Sequence, residues 1–281
     1  MYVKHFSRVA AGAAVAVALG VGLSACGSSG HSSKGGGGSG SASSPVVEQA
    51  GQGARLSGNP TGLDLWGWVP DNMYPSDISE IPGGAYNTDN TVKVNTAHDL
   101  ATESCTEVLG TAGGPGYGEE SYMIDQGSNS AETLYFTYGA AVYPTAADAT
   151  AYIKEMAVRF AACGKFTASA NGTSFPASTA VGPRSEAAAV ADADAAVDLR
   201  ETAQNNGGTA VGDLLIAADG NTVVFETESS TTGSLPNVVS LPKLADTLIA
   251  AFAQGEAQEA AASAGESGAA SPGARIAGDA R

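Results

Sequence analysis

The amino-acid sequence predicts an α+β fold: a single domain in which an antiparallel β-sheet carries about three α-helices packed largely on one face. The first observation is the order of the patterns, since helical and strand-like segments alternate along the chain. The second is the hairpin signature "GDLLIAADGNTVVFETE", in which Asp219-Gly220 supplies a turn between β-branched and aromatic residues. The third is length, because about 190 residues between two low-complexity segments suffice for one core.

Three segments have the apolar spacing and the end signals of helices. In the first, Asp99 completes a capping-box pair, and in the third, Pro242 occupies the first turn. Each segment lies between a capping residue and a glycine: Thr96 and Gly110, Thr145 and Gly164, Ser240 and Gly255. Besides the hairpin at 212–228, the predicted strands are "SYMID" (121–125), "ETLYFTYGAAVY" (132–143) and "AAVDLRET" (195–202).

The beginning of the chain has the layout of a bacterial signal peptide. Lys4 and Arg8 precede an apolar run from Val9 to Leu23, which is shorter than the about 20 residues of a membrane span. Leu23-Ser24-Ala25-Cys26 resembles a lipobox, and the resemblance implies cleavage before Cys26 and acylation of its thiol. The protein would then be attached to the extracytoplasmic face of the cell membrane by a lipid anchor that includes palmitate. The alternative is an ordinary secretory signal with a chance cysteine.

The remaining cysteines and the charge follow from this reading. Of three cysteines, acylation of Cys26 leaves Cys105 and Cys163, and an oxidising compartment favours a disulfide between them. Removal of the first 25 residues would take the formal charge from −16 to −18. Such a charge repels phosphate backbones, so we expect no nucleic-acid partner.

Changes in composition divide the chain into four segments. The expected segments are a lipoprotein signal peptide at 1–25, a flexible Gly/Ser-rich tether at 26–58, the folded domain at 59–254, and a disordered Ala/Gly/Glu-rich tail at 255–281.

The sequence contains no motif that identifies a catalytic, metal or cofactor site. His98 lies in a helical first turn and is expected at the surface. The glycine-rich segment 110–118 lacks the Lys-Ser/Thr ending of a phosphate loop, and "NTDN" at 87–90 lacks the glycine of a calcium loop. The acids Asp192, Asp194 and Asp198 lie close together in sequence, and Asp192 and Asp194, which alternate with alanine before a strand, are interpreted as an edge face. We therefore expect no enzyme, no metal and no cofactor.

Aromatic residues are the candidates for ligand binding. "LWGWVP" at 65–70 is predicted as a strand with Trp66 and Trp68 on one side, where they either stack on a ligand or cover the core. Tyr135 and Tyr138 in the aromatic strand are further candidates.

Residues 70 to 255 resemble the PknH-like extracellular sensor domain, a family found on actinobacterial membrane kinases and on free-standing lipoproteins. The resembling parts are a helix with Cys105, the strand "TLYFTYGAAVY", the segment "DATAYIKEMAVRFAACGKF", the hairpin "DLLIAADGNTVVF" and the closing helix "LPKLADTLIAAF". The chain departs from the family in having one potential disulfide instead of two, and Phe160 near the usual Trp position. The resemblance implies an antiparallel sheet with helices beside a ligand-binding cleft.

The expected function is a lipid-anchored extracytoplasmic sensor or ligand-binding protein without catalytic activity, acting on an envelope ligand or a membrane partner. One alternative is a cell-envelope hydrolase with paired carboxylates, using Glu119, Glu120 or Asp125 near the glycine-rich segment. The other is a protein-interaction module that works through a sheet edge or an acidic face.

Overall fold

The computed structural model describes residues 44–49, 56–71, 73–81, 85–86, 96–111, 122–170, 172–205, 208–236 and 240–268. A large antiparallel sheet with helices confirms the predicted α+β class. The strands are β1 (Val47–Glu48), β2 (Ile78–Glu80), β3 (Ala85–Tyr86), β4 (Tyr122–Asn129), β5 (Leu134–Val142), β6 (Lys165–Ala170), β7 (Thr173–Val181), β8 (Ala195–Asn205), β9 (Gly208–Asp219) and β10 (Thr222–Ser230). The helices are α1 (Gly62–Trp68), α2 (Ala97–Thr102), α3 (Cys105–Thr111), α4 (Ala146–Cys163), α5 (Arg184–Ala188) and α6 (Leu241–Gly268).

The sheet runs in the order β2-β4-β5-β10-β9-β8-β7-β6, with β1 added to β8 and β3 to β4. The predicted hairpin lies at its centre, where Asp219 pairs with Thr222. Gly220 has a φ of 58° in this turn, and a Cβ there would lie 1.6 Å from the Leu56 carbonyl oxygen, so only glycine fits. Asp194 Oδ2 accepts a hydrogen bond from the Gly220 N–H at 2.9 Å.

Helices cover both faces of the sheet, which corrects the prediction that they pack largely on one. Side chains alternate along β10, so that Val223 and Phe225 join one core cluster and Val224 joins another. The first cluster contains the buried stripe of α4, with Ile153 and Phe160 among its members. The second contains Leu248, Ile249 and Phe252 of α6. The sheet is therefore the middle layer of three.

The helix predicted from Thr96 to Gly110 is two helices, α2 and α3. Thr96 and Asp99 form the predicted capping box of α2. Ser104 and Glu107 make a second reciprocal pair of hydrogen bonds, of 2.6 and 3.3 Å, at the start of α3. The second pair begins a new helix, because a capping residue has a non-helical backbone.

The segment "LWGWVP" begins within a helix and not within the predicted strand. Thr61 Oγ1 accepts from the Asp64 N–H at 3.1 Å, and Asp64 Oδ2 accepts from the Thr61 N–H at 2.7 Å. This capping box starts α1, which ends at Trp68. The described part of the chain contains six helices, where about three were predicted. The additional ones are α1, α5 and the second of the two helices that replace the first predicted helix.

Both ends of the domain extend further than the composition predicted. Val46, Val47 and Leu56 are buried, although all three belong to the expected tether. At the other end α6 continues past Gly255 to Gly268, through a segment rich in strong helix formers. The Glu256 carboxylate accepts hydrogen bonds from the backbone N–H groups of Ser57 and Gly58 at 3.3 and 3.1 Å, which joins the two ends. None of the described helices is long and apolar enough to cross a membrane.

A disulfide joins Cys105 of α3 to Cys163 at the end of α4, with the two Cα atoms 5.5 Å apart. Both cysteines contact the core cluster between α4 and the sheet. The bond therefore attaches the short helix α3 to the longest element on this face.

Glu226 is a fully buried acid in the middle of β10. Neither of its carboxylate oxygens has a hydrogen-bond partner among the described residues. Burial raises the pKa of Glu226, and the charge of Asp246 on α6 raises it further. The folded protein therefore keeps Glu226 protonated at pH values at which the unfolded chain has lost that proton.

Replacement of both Cys105 and Cys163 by serine should lower the free energy of unfolding by up to about 4 kcal/mol, because the unfolded chain regains the entropy of a loop of 58 residues. Urea denaturation of the wild type and the double variant measures the difference. Wild-type protein under reducing conditions should match the double variant, and an unchanged midpoint in both would contradict the stabilising role.

Glu226→Gln should make stability less dependent on pH. An acid whose pKa is raised in the folded state stabilises fully below its unfolded pKa of about 4.3, and loses that contribution as pH rises toward its folded pKa. The wild type should therefore lose stability above that pH, and the variant should lose up to about 1.4 kcal/mol less per pH unit. Urea midpoints across the range from pH 4.5 to 8 measure both slopes, with Glu155→Gln on α4 as the control. Equal slopes in the wild type and Glu226→Gln would show that Glu226 is not protonated.

Candidate functional site: an acidic cavity

A cavity of about 390 Å³ opens on the sheet face that α6 covers, where that helix begins. We call it the acidic cavity. Its floor is formed by Asp198 and Arg200 of β8, Asp213 and Leu215 of β9, and Glu228 of β10; its walls are Glu186 of α5 and the segment Ser240, Leu241 and Pro242 at the start of α6.

The register of the central strands brings the floor residues together. Asp213 lies directly opposite Glu228 on β10 and directly opposite Arg200 on β8. Asp198 is opposite Leu215, one side-chain row further along the same face. Directly opposed residues have Cβ atoms about 4.5–5.5 Å apart, and diagonal ones remain within reach. Three carboxyl groups therefore converge on one area of the sheet.

The surroundings of Asp198 favour its protonated form. Burial raises the pKa of Asp198 to about 8, and the charge and hydrogen bond of Asp213 contribute to the same direction. Glu186 also raises this pKa, whereas Arg200 lowers it. At neutral pH Asp198 is therefore the protonated member of the pair.

Asp198 has unused hydrogen-bonding capacity inside the protein. Its side chain belongs to a residue that is 2% exposed, yet its Oδ2 has no hydrogen-bond partner among the described residues. Gly182 on the neighbouring segment makes room for this carboxyl, because a Cβ there would lie 1.8 Å from Asp198 Oδ2. A buried acceptor without a partner is costly.

The cation among the described lining residues is Arg200, and it forms an ion pair with Asp213, with Nε 3.1 Å from Oδ1. Glu186, Asp198 and Glu228 also contribute carboxyl groups to the lining. The lining also has an apolar part, since Leu215, Leu241 and Pro242 contribute hydrocarbon surface.

The lining combines ionisable groups with hydrocarbon surface, which is the composition of many small-molecule sites. Among the described residues, no group of three or more His, Cys, Asp or Glu side chains has the arrangement of a metal site.

Trp66 and Trp68, the tryptophan candidates for ligand binding, do not line the acidic cavity. Residues two apart on a helix project roughly 200° apart, so Trp66 and Trp68 point in different directions. The Trp66 ring lies 5.3 Å from that of Tyr86, and the Trp68 ring lies 6.5 Å from that of Phe252 on α6. Trp68 also packs against Gly255. Both rings therefore pack against other side chains of the fold, and ligand binding by them stays a prediction.

The two tyrosine candidates are buried at other places. Tyr138 is 4% exposed, and its hydroxyl donates to Asp125 Oδ2 at 2.8 Å. Tyr135 is on the opposite face of the sheet, and its hydroxyl donates to the Glu132 carbonyl oxygen at 2.7 Å. Asp125, named as a hydrolytic candidate, is therefore a buried partner of Tyr138 and is not among the residues that line the acidic cavity.

The remaining sequence candidates have separate positions. His98 is exposed, as expected. The Asp192 N–H donates to Asp246 Oδ1 at 3.0 Å, and Asp194 holds the Gly220 turn. Cys26, Glu119, Glu120, most of the glycine-rich segment 110–118 and the "NTDN" segment lie outside the described residues.

Sequence reasoning missed Asp198, Asp213 and Glu228 as a group. The sequence marks Asp198 only as one of several acids close together, and the structure buries it within β8. The hairpin signature did contain a signal for the other two, since they stand at equal distances from its turn and face each other once the register is fixed. The contribution of α5 and α6 to the cavity walls had no such local signal.

The sequence matches no protein-family model and no curated protein. Among solved structures, the chain is similar to the crystal structure of the extracellular domain of PknH from Mycobacterium tuberculosis, with a TM-score of 0.45 and 12% sequence identity. The similarity covers 69% of this chain and 97% of that domain. It concerns the arrangement of helices and strands and assigns no residue a role.

Proposed function

We propose that this protein is a lipid-anchored extracytoplasmic binding or sensor protein, without catalytic activity, whose ligand occupies the acidic cavity. The observation that carries the proposal is the cavity itself: it is within the usual size range of small-molecule sites and contains convergent polar groups, one with a strongly raised pKa. The partner is an envelope ligand, or a membrane protein that binds this protein when the acidic cavity is occupied.

The location rests on two features of the chain. Leu23-Ser24-Ala25-Cys26 resembles the acylation site of bacterial lipoproteins. The disulfide between Cys105 and Cys163 suits an oxidising compartment outside the cytoplasm. With Val46 and Val47 already packed in the domain, the tether between lipid and domain would be shorter than 26–58.

A hydrolase with paired carboxylates is the less favoured function. Glycoside hydrolysis uses two carboxyl groups about 5–10 Å apart, which leaves space for the sugar or for a water molecule. Asp213 is instead paired with Arg200, and burial together with the charge of Asp213 raises the pKa of Asp198 to about 8. Asp125 is occupied by Tyr138. These contacts favour binding over hydrolysis.

Cys26→Ser should abolish lipid attachment without affecting the fold, because Cys26 precedes the folded domain. In a host that processes lipoproteins, the wild type should incorporate labelled palmitate and partition into the detergent phase, and the variant should do neither. Thermal melting of both proteins provides the control for folding. Equal labelling of the wild type and the variant would contradict acylation at this position.

Native mass spectrometry should show a small molecule that co-purifies with the full chain from its host membranes. Asp213→Asn should lower the bound fraction, since the substitution removes a cavity charge without a large change in shape. Glu155→Gln, on the opposite face of the sheet, is the matched control and should retain the adduct. Absence of any adduct, combined with a partner captured at a sheet edge, would favour the protein-interaction alternative.

A further inference from the structure

We infer that the edge of β8 at Ala195 and Ala196 is a binding site for an extended peptide of another chain, and that residues 44–49 of this chain fill it in the folded protein. We call residues 44–49 the internal segment. The residues of this site are not among those that line the acidic cavity. The inference therefore goes beyond the proposed function, and its failure would leave that function untouched.

The topology of the sheet leaves part of one edge of β8 without a long neighbouring strand. β9 pairs with β8 along its whole length, from Ala195 to Asn205. β7 pairs on the other side only from Leu199 to Ala203, because the chain leaves the sheet after Val181 and enters α5. The start of β8 therefore presents backbone N–H and C=O groups to a further strand.

The internal segment occupies this edge as an extended chain. Its two residues in β1 pair antiparallel with Ala195 and Ala196. The Gln49 N–H continues the ladder by donating to the Asp194 carbonyl oxygen at 3.0 Å. The site thus already holds a short peptide strand, and that strand shows which contacts a peptide makes there.

Side chains of the internal segment alternate between the two faces of the sheet. Val46 belongs to the core cluster under α4, and Val47 belongs to the cluster under α6; both are buried. The next side chain, Glu48, reaches Lys154 of α4, with Oε1 2.7 Å from Nζ. A slip by one residue would turn every side chain to the opposite face. Two adjacent apolar residues followed by an acid are therefore the pattern that fits the site.

The α5 region holds the backbone and the last side chain of the internal segment. Arg184 donates to the carbonyl oxygen of Ser44 and, at 3.1 Å, to that of Val46. The Gln49 side chain donates to the Val190 carbonyl oxygen, just after α5. Main-chain hydrogen bonds combined with alternating side-chain pockets are the contacts by which sheet edges bind peptides of other chains.

The energies that hold the internal segment are closely opposed. Burial of two valine side chains stabilises the bound segment, and the loss of conformational freedom in six residues opposes it by an amount of the same order. The ion pair with Lys154 joins side chains that are about half exposed, so it adds little. The central strands β5, β10, β9 and β8 pair with one another and not through β1. A peptide with the same pattern can therefore replace the internal segment while the sheet stays folded.

Hydrogen exchange of the wild-type full chain tests whether the internal segment opens by itself. After correction for intrinsic rates, amides in a fragment covering 46–49 should exchange at least about a hundredfold faster than those of the central hairpin at 214–226, because local opening costs less than global unfolding. Mass spectrometry of peptic fragments measures both rates. Equal protection of the two fragments would overturn the inference, since the segment would then open only with the whole domain.

A labelled peptide, SSPVVEQA, copies residues 43–50 and tests the site by fluorescence anisotropy. In the full chain, Val46→Ser combined with Val47→Ser should weaken the internal segment. The peptide should then bind at least about tenfold more tightly than to the wild type, because the open site is more populated. Val158→Ser, at an exposed valine of α4, is the matched control and should behave as the wild type. A peptide with serine in place of both valines should not bind.

Further variants locate the peptide at the edge of β8. Arg184→Ala, added to the double variant, should weaken peptide binding several-fold. If the double variant does not fold, Val47→Ala allows the same titration with a smaller gain. Absence of peptide binding to the folded variants, or equal binding of the serine peptide, would overturn the inference. A dimer of the wild type that the peptide dissociates would support it, with a second copy of the chain as the source of the bound segment.

Discussion

Two-sided burial of the central strand is the constraint on which the rest of the structure depends. All nine residues of β10 are buried, although its sequence includes Glu226, Glu228 and two serines. Polar groups that lose water need a hydrogen bond, a counter-charge, a proton or a cavity. On the α4 face, Val223 and Phe225 avoid the problem by being apolar. On the α6 face, Glu226 and Glu228 are polar and lose their contact with water. The structure around each glutamate therefore has to compensate for that loss.

The position of α6 along the sheet decides which acids stay covered and which line a cavity. Gly255 packs closely against Trp68, and Glu256 accepts from the backbone of Ser57 and Gly58. These contacts fix the helix along its axis, so that its first residue, Leu241, stands at the edge of the acidic cavity. Trp68, a candidate ligand contact in the sequence, thus contributes to the cavity indirectly, because it helps to position the helix that forms the cavity wall.

Local signals predicted the elements that local chemistry determines, and failed where tertiary context decides. The hairpin around Gly220 and the helix between Thr145 and Gly164 follow from turn and capping residues, and both are present. The β6–β7 hairpin was missed because its strands are rich in Ala, Ser and Thr, which alternate weakly. Coverage of both sheet faces was missed because apolar alternation along a strand identifies a core face but not how many helices pack there. The buried acids were missed for a related reason. The sequence places an acid at the surface by default, and only the tertiary structure shows which acids are covered.

Glu226 and Asp198 are both buried acids with a raised pKa, but their surroundings differ. Glu226 lies beneath α6, where neither carboxylate oxygen has a hydrogen-bond partner among the described residues. Asp198 belongs to the lining of the acidic cavity, and the charge of Asp213 raises its pKa further. A fold selected for stability alone would gain from apolar residues at both positions, because buried acids without partners destabilise. The placement of Asp198 beside Asp213 and Glu228 at one cavity therefore favours a binding role for this part of the sheet.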